Sequence, residues 1–422
     1  MPDISVGTQI FDLIFHPSSS VVYLGLLTGH IKAFSYDDEG GHDVEFTVRP
    51  SKRSCRALAI SEDGNRVWAA GKAKAMYTVD TGTGRIVDTW SNAHDTAINR
   101  LKSLTPTLLA SGDDDGVIKL WDPRNANSIR TYTHHFDFIS DFLWLGDRKQ
   151  LVSTSGDGTL SVIDVRSKKS EPIAQSEDQE DELLSIVPIK GGQKFAVGTQ
   201  LGILSIFNRR SGWGDCVDRI PGHPHSIDTL ASLPTTFSPS ETTILTGSSD
   251  GLLRAVQLFP TKLLGVVADH GDFPIERIVV DRGGEGRWVG SAGHEEVLKL
   301  TDLQEIFGGD EEEEEEEEED GSGDEEKAKT HAGEEDSEGE DSEAEGESSG
   351  KEEGPGLPPV SPRKRPTPEE EAQPVADADS SGDEGIVERK RKRKKEKDPL
   401  KASKRTKGRN EVVAEPSFFA DL

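Results

Sequence analysis

The chain is predicted to be all-β, a seven-bladed propeller, on three observations. Seven short segments repeat one pattern, a small or polar turn followed by alternating apolar residues and usually an Asp or Asn: Gly29 to Ser35, Lys74 to Asp80, Gly116 to Asp122, Gly158 to Asp164, Gly202 to Asn208, Gly251 to Gln257 and Glu296 to Asp302. Their first residues are spaced 45, 42, 42, 44, 49 and 45 apart, which is the length of a four-stranded unit and its turns. The repeats also stop where the composition changes. Residues 1–303 carry 30 Lys+Arg and 40 Asp+Glu, whereas 304–422 carry 19 and 39 and have Phe307, Phe418 and Phe419 as their only aromatics. That second part offers too little apolar surface to offset a chain entropy of roughly 1 to 2 kcal/mol per residue, so a disordered tail is expected there.

Each unit reads as three inner strands and an outer one. In the third, Ala97 to Ser103 is the innermost strand, Thr107 to Ser111 the next, Val117 to Trp121 the third and Asn127 to Tyr132 the edge. The fourth repeats this with Phe138 to Trp144, Gln150 to Thr154, Thr159 to Ile163 and Glu171 to Ala174. Counting back, Phe11 to Phe15 opens blade one and leaves Pro2 to Val6 without a blade. Nothing foldable is expected after Asp302, so pairing Pro2 to Val6 with Val297 to Leu300 would close the ring and remove its open edges. There is no run of about 18 apolar residues and no basic stretch leading an apolar one at the N-terminus, so neither a membrane span nor a secretory signal is expected. Cys55 and Cys216 fall in different blades, which suits reduced thiols in a monomeric, intracellular propeller.

The third unit contains His94, Ser111, Asp115 and Trp121 and ends Leu120-Trp121-Asp122. Here the chain resembles the WD40 family, in which such residues form a hydrogen-bonded set. A histidine between an acid and a hydroxyl, with an indole N–H closing the chain, satisfies several buried polar groups at once. A Ser-His-Asp catalytic reading is set aside because no Gly-x-Ser-x-Gly loop occurs. In blade six His223 or His225 is expected to serve with Asp250; blade four has Asp157 but Ile163 at the Trp position, and blades two and seven have Val79 and Thr301 there. No dinucleotide or phosphate-binding glycine loop appears, and neither cysteine has metal-ligand spacing to a histidine. Neighbours on a strand face opposite ways, so His134-His135 reads as a loop or cap pair rather than a metal site. No enzyme activity, cofactor or metal is expected.

Beyond the repeats, Asp310 to Asp320 are eleven consecutive acids, and 304–385 carry 33 acidic against 6 basic residues. Such a segment repels itself and extends, as a spacer or as a nucleic-acid mimic for basic proteins. Ser337, Ser342, Ser380 and Ser381 each precede an acid by three positions, the pattern of casein kinase 2 sites, and Ser361-Pro362-Arg363-Lys364 resembles a cyclin-dependent kinase site. From 386 to 422 the sign reverses to 13 basic and 6 acidic residues. The unbroken Arg389, Lys390, Arg391, Lys392, Arg393, Lys394 and Lys395 read as a nuclear or nucleolar signal and secondarily as an RNA contact. The terminal Phe418, Phe419 and Leu422 look like a peptide that docks into a partner's groove.

Seven divergent blades (1–303), an acidic linker (304–385) and a basic tail (386–422) ending Phe-Phe-Ala-Asp-Leu together resemble the WD repeat-containing protein 55 family and its fungal relatives. The resemblance implies a nucleus- and nucleolus-located scaffold in ribosomal RNA production and large-subunit assembly, docking proteins of the pre-ribosome. Two other readings stay open. Trp121-Asp122-Pro123-Arg124 and Ile163-Asp164-Val165-Arg166 resemble the box by which some propellers join the cullin-4 ubiquitin ligase adaptor, with Arg124 and Arg166 as contacts. The third is a propeller that binds histones.

Overall fold

Alternating apolar residues need a second face to bury against, and in this computed structural model, which describes residues 3–125 and 127–308, they find it in a ring. Among the described residues seven four-stranded antiparallel sheets form. From the central channel outward, blade one is Ile10–Phe15, Val21–Leu26, Ile31–Tyr36 and His42–Val48, and blade two Cys55–Ile60, Arg66–Gly71, Met76–Asp80 and Arg85–Trp90. Blade three is Ile98–Thr105, Leu108–Asp113, Ile118–Trp121 and Ser128–Tyr132; blade four Ile139–Leu145, Gln150–Ser155, Leu160–Asp164 and Ala174–Gln175. Blade five is Leu183–Ile189, Lys194–Thr199, Ile203–Asn208 and Asp218–Pro221; blade six Ile227–Ser232, Thr243–Ser248, Leu252–Gln257 and Lys262–Asp269. Blade seven has Ile275–Val280, Trp288–Gly293 and Val297–Asp302, and takes its fourth strand, Asp3–Ser5, from the other end of the chain.

That last strand pairs Asp3 with Lys299, Ile4 with Leu298 and Ser5 with Val297, which is the expected closure. Ile4 is fully buried in a cluster shared by blades seven and one. Seven such apolar clusters lie one between each pair of neighbouring blades, so each sheet is stabilised by its neighbours rather than by itself. The fourth strand of blade four is shorter and later than expected, at Ala174–Gln175. The fold also continues past Leu303 into a short helix, α1 (Leu303–Phe307), capped by the Asp302 side chain on the Gln304 amide, with Phe307 against Phe237. The apolar content of that turn is what carries it beyond the expected end at 303.

The first residue of most repeats is the left-handed residue of the turn between second and third strands. Gly29, Gly116, Gly158, Gly202 and Gly251 have φ between 77° and 83°. A Cβ on Gly29 would meet the Arg53 and Ser51 carbonyls at 2.3 Å. Blade two puts Lys74 there at φ 64°, a conformation that costs a non-glycine residue roughly 1 to 2 kcal/mol.

A second recurrence sits on the innermost strands. Every one of the seven has a register shift between its first and third residues. The bulge turns the third side chain toward the next blade. Asp12 accepts the Leu58 amide at 2.7 Å, Asp141 the Ile186 amide at 3.3 Å and Thr229 the Ile278 amide at 3.1 Å, each latching one blade to its successor. Arg277 of blade seven lies 3.2 Å from Asp12 of adjoining blade one and, across the channel, 3.6 Å from Asp141 of blade four, which Arg100 of adjoining blade three approaches to 3.8 Å. Burial pushes the Asp12 carboxyl up against the pull of Arg277 and Arg100.

Candidate functional site

Antiparallel blades place the second-to-third turns and the blade-to-blade links at one end of the ring, the upper face, and the other two hairpins at the lower face. On the upper face, blade three carries its polar set. His94 Nδ1 lies 2.7 Å from Asp113 Oδ2, its Nε2 2.6 Å from Ser111 Oγ, and the Trp121 indole N–H donates to Ser111 Oγ at 2.7 Å. With a neutral His94 beside an ionised Asp113, Trp121 donates to Ser111, Ser111 to His94 and His94 to Asp113. The acid is therefore Asp113, which corrects Asp115. Asp113 ends the buried second strand, and its other oxygen accepts the Asp115 and Val117 amides, which leaves Asp115 facing solvent. Burial alone would raise the Asp113 carboxyl, but the hydrogen bonds from His94 and the Val117 amide keep it below its usual range.

Other blades solve the same problem with different residues. In blade four His135 bonds Asp157 at 3.0 Å and Ser161 at 2.9 Å, and His134 bonds Ser161 at 2.7 Å, so the two adjacent histidines converge on one hydroxyl. Burial, with His135 beside it, brings His134 down to about 4. In blade six His223 meets Thr246 at 2.9 Å, while Asp250 is held by Arg254 at 3.0 and 2.7 Å. Desolvation and then Arg254 hold His223 at about 3, so it stays neutral. Blade seven uses His270, with Glu295 and Ser291 each at 2.8 Å. Sequence reasoning read His135 as part of a loop or cap pair without naming its partners and missed His270; the signal was there, since each sits in the link just before an innermost strand, as His94 does.

The second residue of each innermost strand lines the mouth of the channel on the upper face, around a cavity of about 330 Å³. Blades one to three supply Phe11, Arg56 and Asn99; blades four and five supply Ser140 and Leu184; blades six and seven supply Asp228 and Glu276. One edge is a network in which Arg56 bonds Asn99 at 3.1 Å and Asp114 at 3.4 Å above the Phe11 ring. The other is acidic. Glu276 lies 2.7 Å from His294, and desolvation, with Glu276 nearby, raises Asp228 to about 6. Around this mouth the upper-face loops expose large apolar side chains: Leu27, Leu201, Phe273 and, at 88% exposure, Phe136. A polar mouth of divided charge rimmed by apolar side chains suits the capture of a protein segment.

On the lower face Arg124 and Arg166 adopt one geometry. Each guanidinium is bidentate on the Asp two residues before it, Arg124 on Asp122 and Arg166 on Asp164, at 2.9 and 2.7 Å in both cases, and both side chains are largely exposed. Among the described residues no group of His, Cys, Asp and Glu could hold a metal ion, and no helix is long and apolar enough to cross a membrane. Ser337, Ser342, Ser361, Ser380, Ser381, the block 389–395, Phe418, Phe419 and Leu422 lie outside the described residues.

A family model described as WDR55 matches residues 1–306. The WD repeat-containing protein JIP5 of Coprinopsis cinerea is 63% identical over 309 residues, covering 73% of this chain and 75% of that protein. WD repeat-containing protein 55 of Arabidopsis thaliana is 37% identical over 311 residues, covering 73% and 84%. That of Bos taurus is 32% identical over 305 residues, covering 72% and 77%. Among solved structures, the crystal structure of RRP9 WD40 repeats is similar with a TM-score of 0.60 at 16% identity, over 71% of this chain and 97% of that one, a likeness of fold alone.

Proposed function

This chain belongs to the WDR55 family of WD40 propellers, a family of protein-interaction scaffolds, and from that premise we propose that it is a non-enzymatic nucleolar scaffold of ribosome biogenesis. The observation that carries docking is the channel mouth, to which every blade contributes at least one residue beneath a rim of exposed apolar side chains. What supports the address is Arg389 to Lys395, seven consecutive cations that import receptors read and nucleolar RNA holds. Phosphates on Ser337, Ser342, Ser361, Ser380 and Ser381 would deepen the negative charge of the linker.

The test is affinity purification from nuclear extract, with and without ribonuclease, using the natural chain and a Phe136→Asp, Phe273→Asp double variant. Pre-ribosomal proteins should dominate, and the double variant should lose them while keeping its melting temperature. Recovery of histones instead, or no change in the double variant, refutes the reading. Neutralising Arg389 to Lys395 should move the protein out of nucleoli, and a reporter carrying 386–422 should enter the nucleus.

A second reading rests on the lower face. Arg124 and Arg166 are presented in the same bidentate geometry on adjacent blades, a matched pair for a cullin-4 adaptor. Dependence of adaptor capture on those two arginines would establish it.

A further inference from the structure

The upper face is not uniformly charged. The loops of blades one and two that meet there, 27–30, 49–56 and 72–75, contain Arg49, Lys52, Arg53, Arg56, Lys72 and Lys74 and no acid. They touch one another: the Arg49 Nε donates to the Thr28 carbonyl at 3.1 Å, and the Lys72 amide to the Ser54 carbonyl at 3.1 Å. Gly29 is pressed on the carbonyls of Ser51 and Arg53, so the loops form one continuous surface. Arg56 turns inward to Asp114, and the Lys74 Nζ donates to the carbonyl of Asp95 in the next link, but Arg49, Lys52, Arg53, Lys72 and Lys74 are exposed and, among the described residues, have no ion-pair partner. His30 is held below its usual range, first by desolvation and then by Arg49 and Lys32. A surface of five unpaired cations on a ring whose sequence is net acidic attracts an anion. These loops contain no Phe, Tyr or Trp, so the stacking platform that a single-stranded nucleic acid uses is missing, and the chemistry favours an acidic peptide.

The chain carries such a peptide. Residues 310–347 hold 23 acids against 2 lysines and begin three residues after α1 ends at Phe307. At about 3.3 Å per residue their contour exceeds 100 Å. That is several times the roughly 20 Å span of a six-residue strand, a length sufficient to connect the lower face, where α1 ends, with the upper. We propose that Arg49, Lys52, Arg53, Lys72 and Lys74 are a docking patch for acidic peptide, occupied by this chain's own residues 310–347. An acidic partner must then displace the tail to use the patch. This holds whichever particle the scaffold serves, so it stands or falls apart from the nucleolar reading.

The experiment is zero-length carbodiimide cross-linking of the full chain, mixed from isotopically light and heavy protein. Lys52, Lys72 and Lys74 should join to acids of 310–347 within one copy. Yields should fall at least about fivefold between 0.05 and 1 M salt, as the screening length shortens from over 10 Å to about 3 Å. Arg49→Gln with Arg53→Gln leaves the three lysines as reporters and should cut the yield severalfold at an unchanged melting temperature. Replacing the acids of 310–320 by Gln in the full chain should tighten binding of a labelled oligoglutamate at least about fivefold. Cross-links spread equally over Lys168, Lys169 and Lys262 would overturn the proposal. So would capture of the acids by Lys390 to Lys395, links only between copies, or tighter binding of oligouridylate than of oligoglutamate at Arg49 and Arg53.

Discussion

Blades three and seven share one architecture and differ in how it is held. Blade three is a continuous stretch of chain whose set of His94, Asp113, Ser111 and Trp121 is sealed: the Asp113 side chain is 2% exposed. Blade seven is assembled from both ends of the described chain, and its histidine meets Glu295, whose side chain is 21% exposed. Where a blade carries a histidine at this position it is satisfied, and a longer acid reaching in from solvent can take the place of a short buried one. The difference lies in what breaks each blade.

The largest effect should come from the closing strand. Deleting residues 1–8 strips Ile4 and Val6 from the cluster between blades seven and one, worth about 1.5 to 3 kcal/mol each, and opens a sheet edge. Calorimetry should show a melting temperature lower by at least about 6 °C, with removal of 309–422 nearly without effect. An unaltered melt in the N-terminal deletion would show that closure does not stabilise the ring.

Next come the two histidines. His94→Ala leaves Asp113 and Ser111 without their partner in a sealed site and should destabilise by about 1 to 3 kcal/mol in chemical denaturation. His270→Ala should cost about half as much, because water can reach Glu295. Equal losses would mean that exposure of the acid is irrelevant.

A smaller effect of opposite sign is expected where blade six adjoins seven at the mouth. Asp228 is raised from 3.8 to about 6. A carboxyl whose folded pKa lies above its unfolded one favours the folded state below pH 3.8, and that contribution is lost as pH rises through 6. Asp228→Asn should therefore stabilise by about 1 to 2 kcal/mol at pH 7, a gain that fades toward pH 4 in melts run across that range. A gain independent of pH would assign the effect to something other than titration.

The smallest effect should be at the lower face. Arg124→Glu and Arg166→Glu break exposed pairs with Asp122 and Asp164 that water and salt screen, so the melt should barely move. A large loss would mean that these turns hold their blades together.

Much of this was legible in the sequence because it is local. The turn glycines, the strand alternation, His94, Ser111 and Trp121, and even the strand that closes the ring follow from spacing along the chain. Asp113 was not, since three consecutive acids, Asp113, Asp114 and Asp115, look alike until strand register buries the first and turns the third outward. Glu295 was hidden by its chemistry, a glutamate where blade three has an aspartate.

The sequence by itself determined the number of blades, their order, their boundaries to within a few residues and the charge of every segment, because each follows from a period or a composition. Only the closed ring decided which residues meet. Phe11, Arg56 and Glu276 are separated by tens to hundreds of residues yet share one mouth, and Asp12, Asp141 and Arg277 share one channel. The reason is geometric: strand periodicity says which way a side chain points within its blade, but its neighbours across the axis come from other blades, and closure alone brings those together.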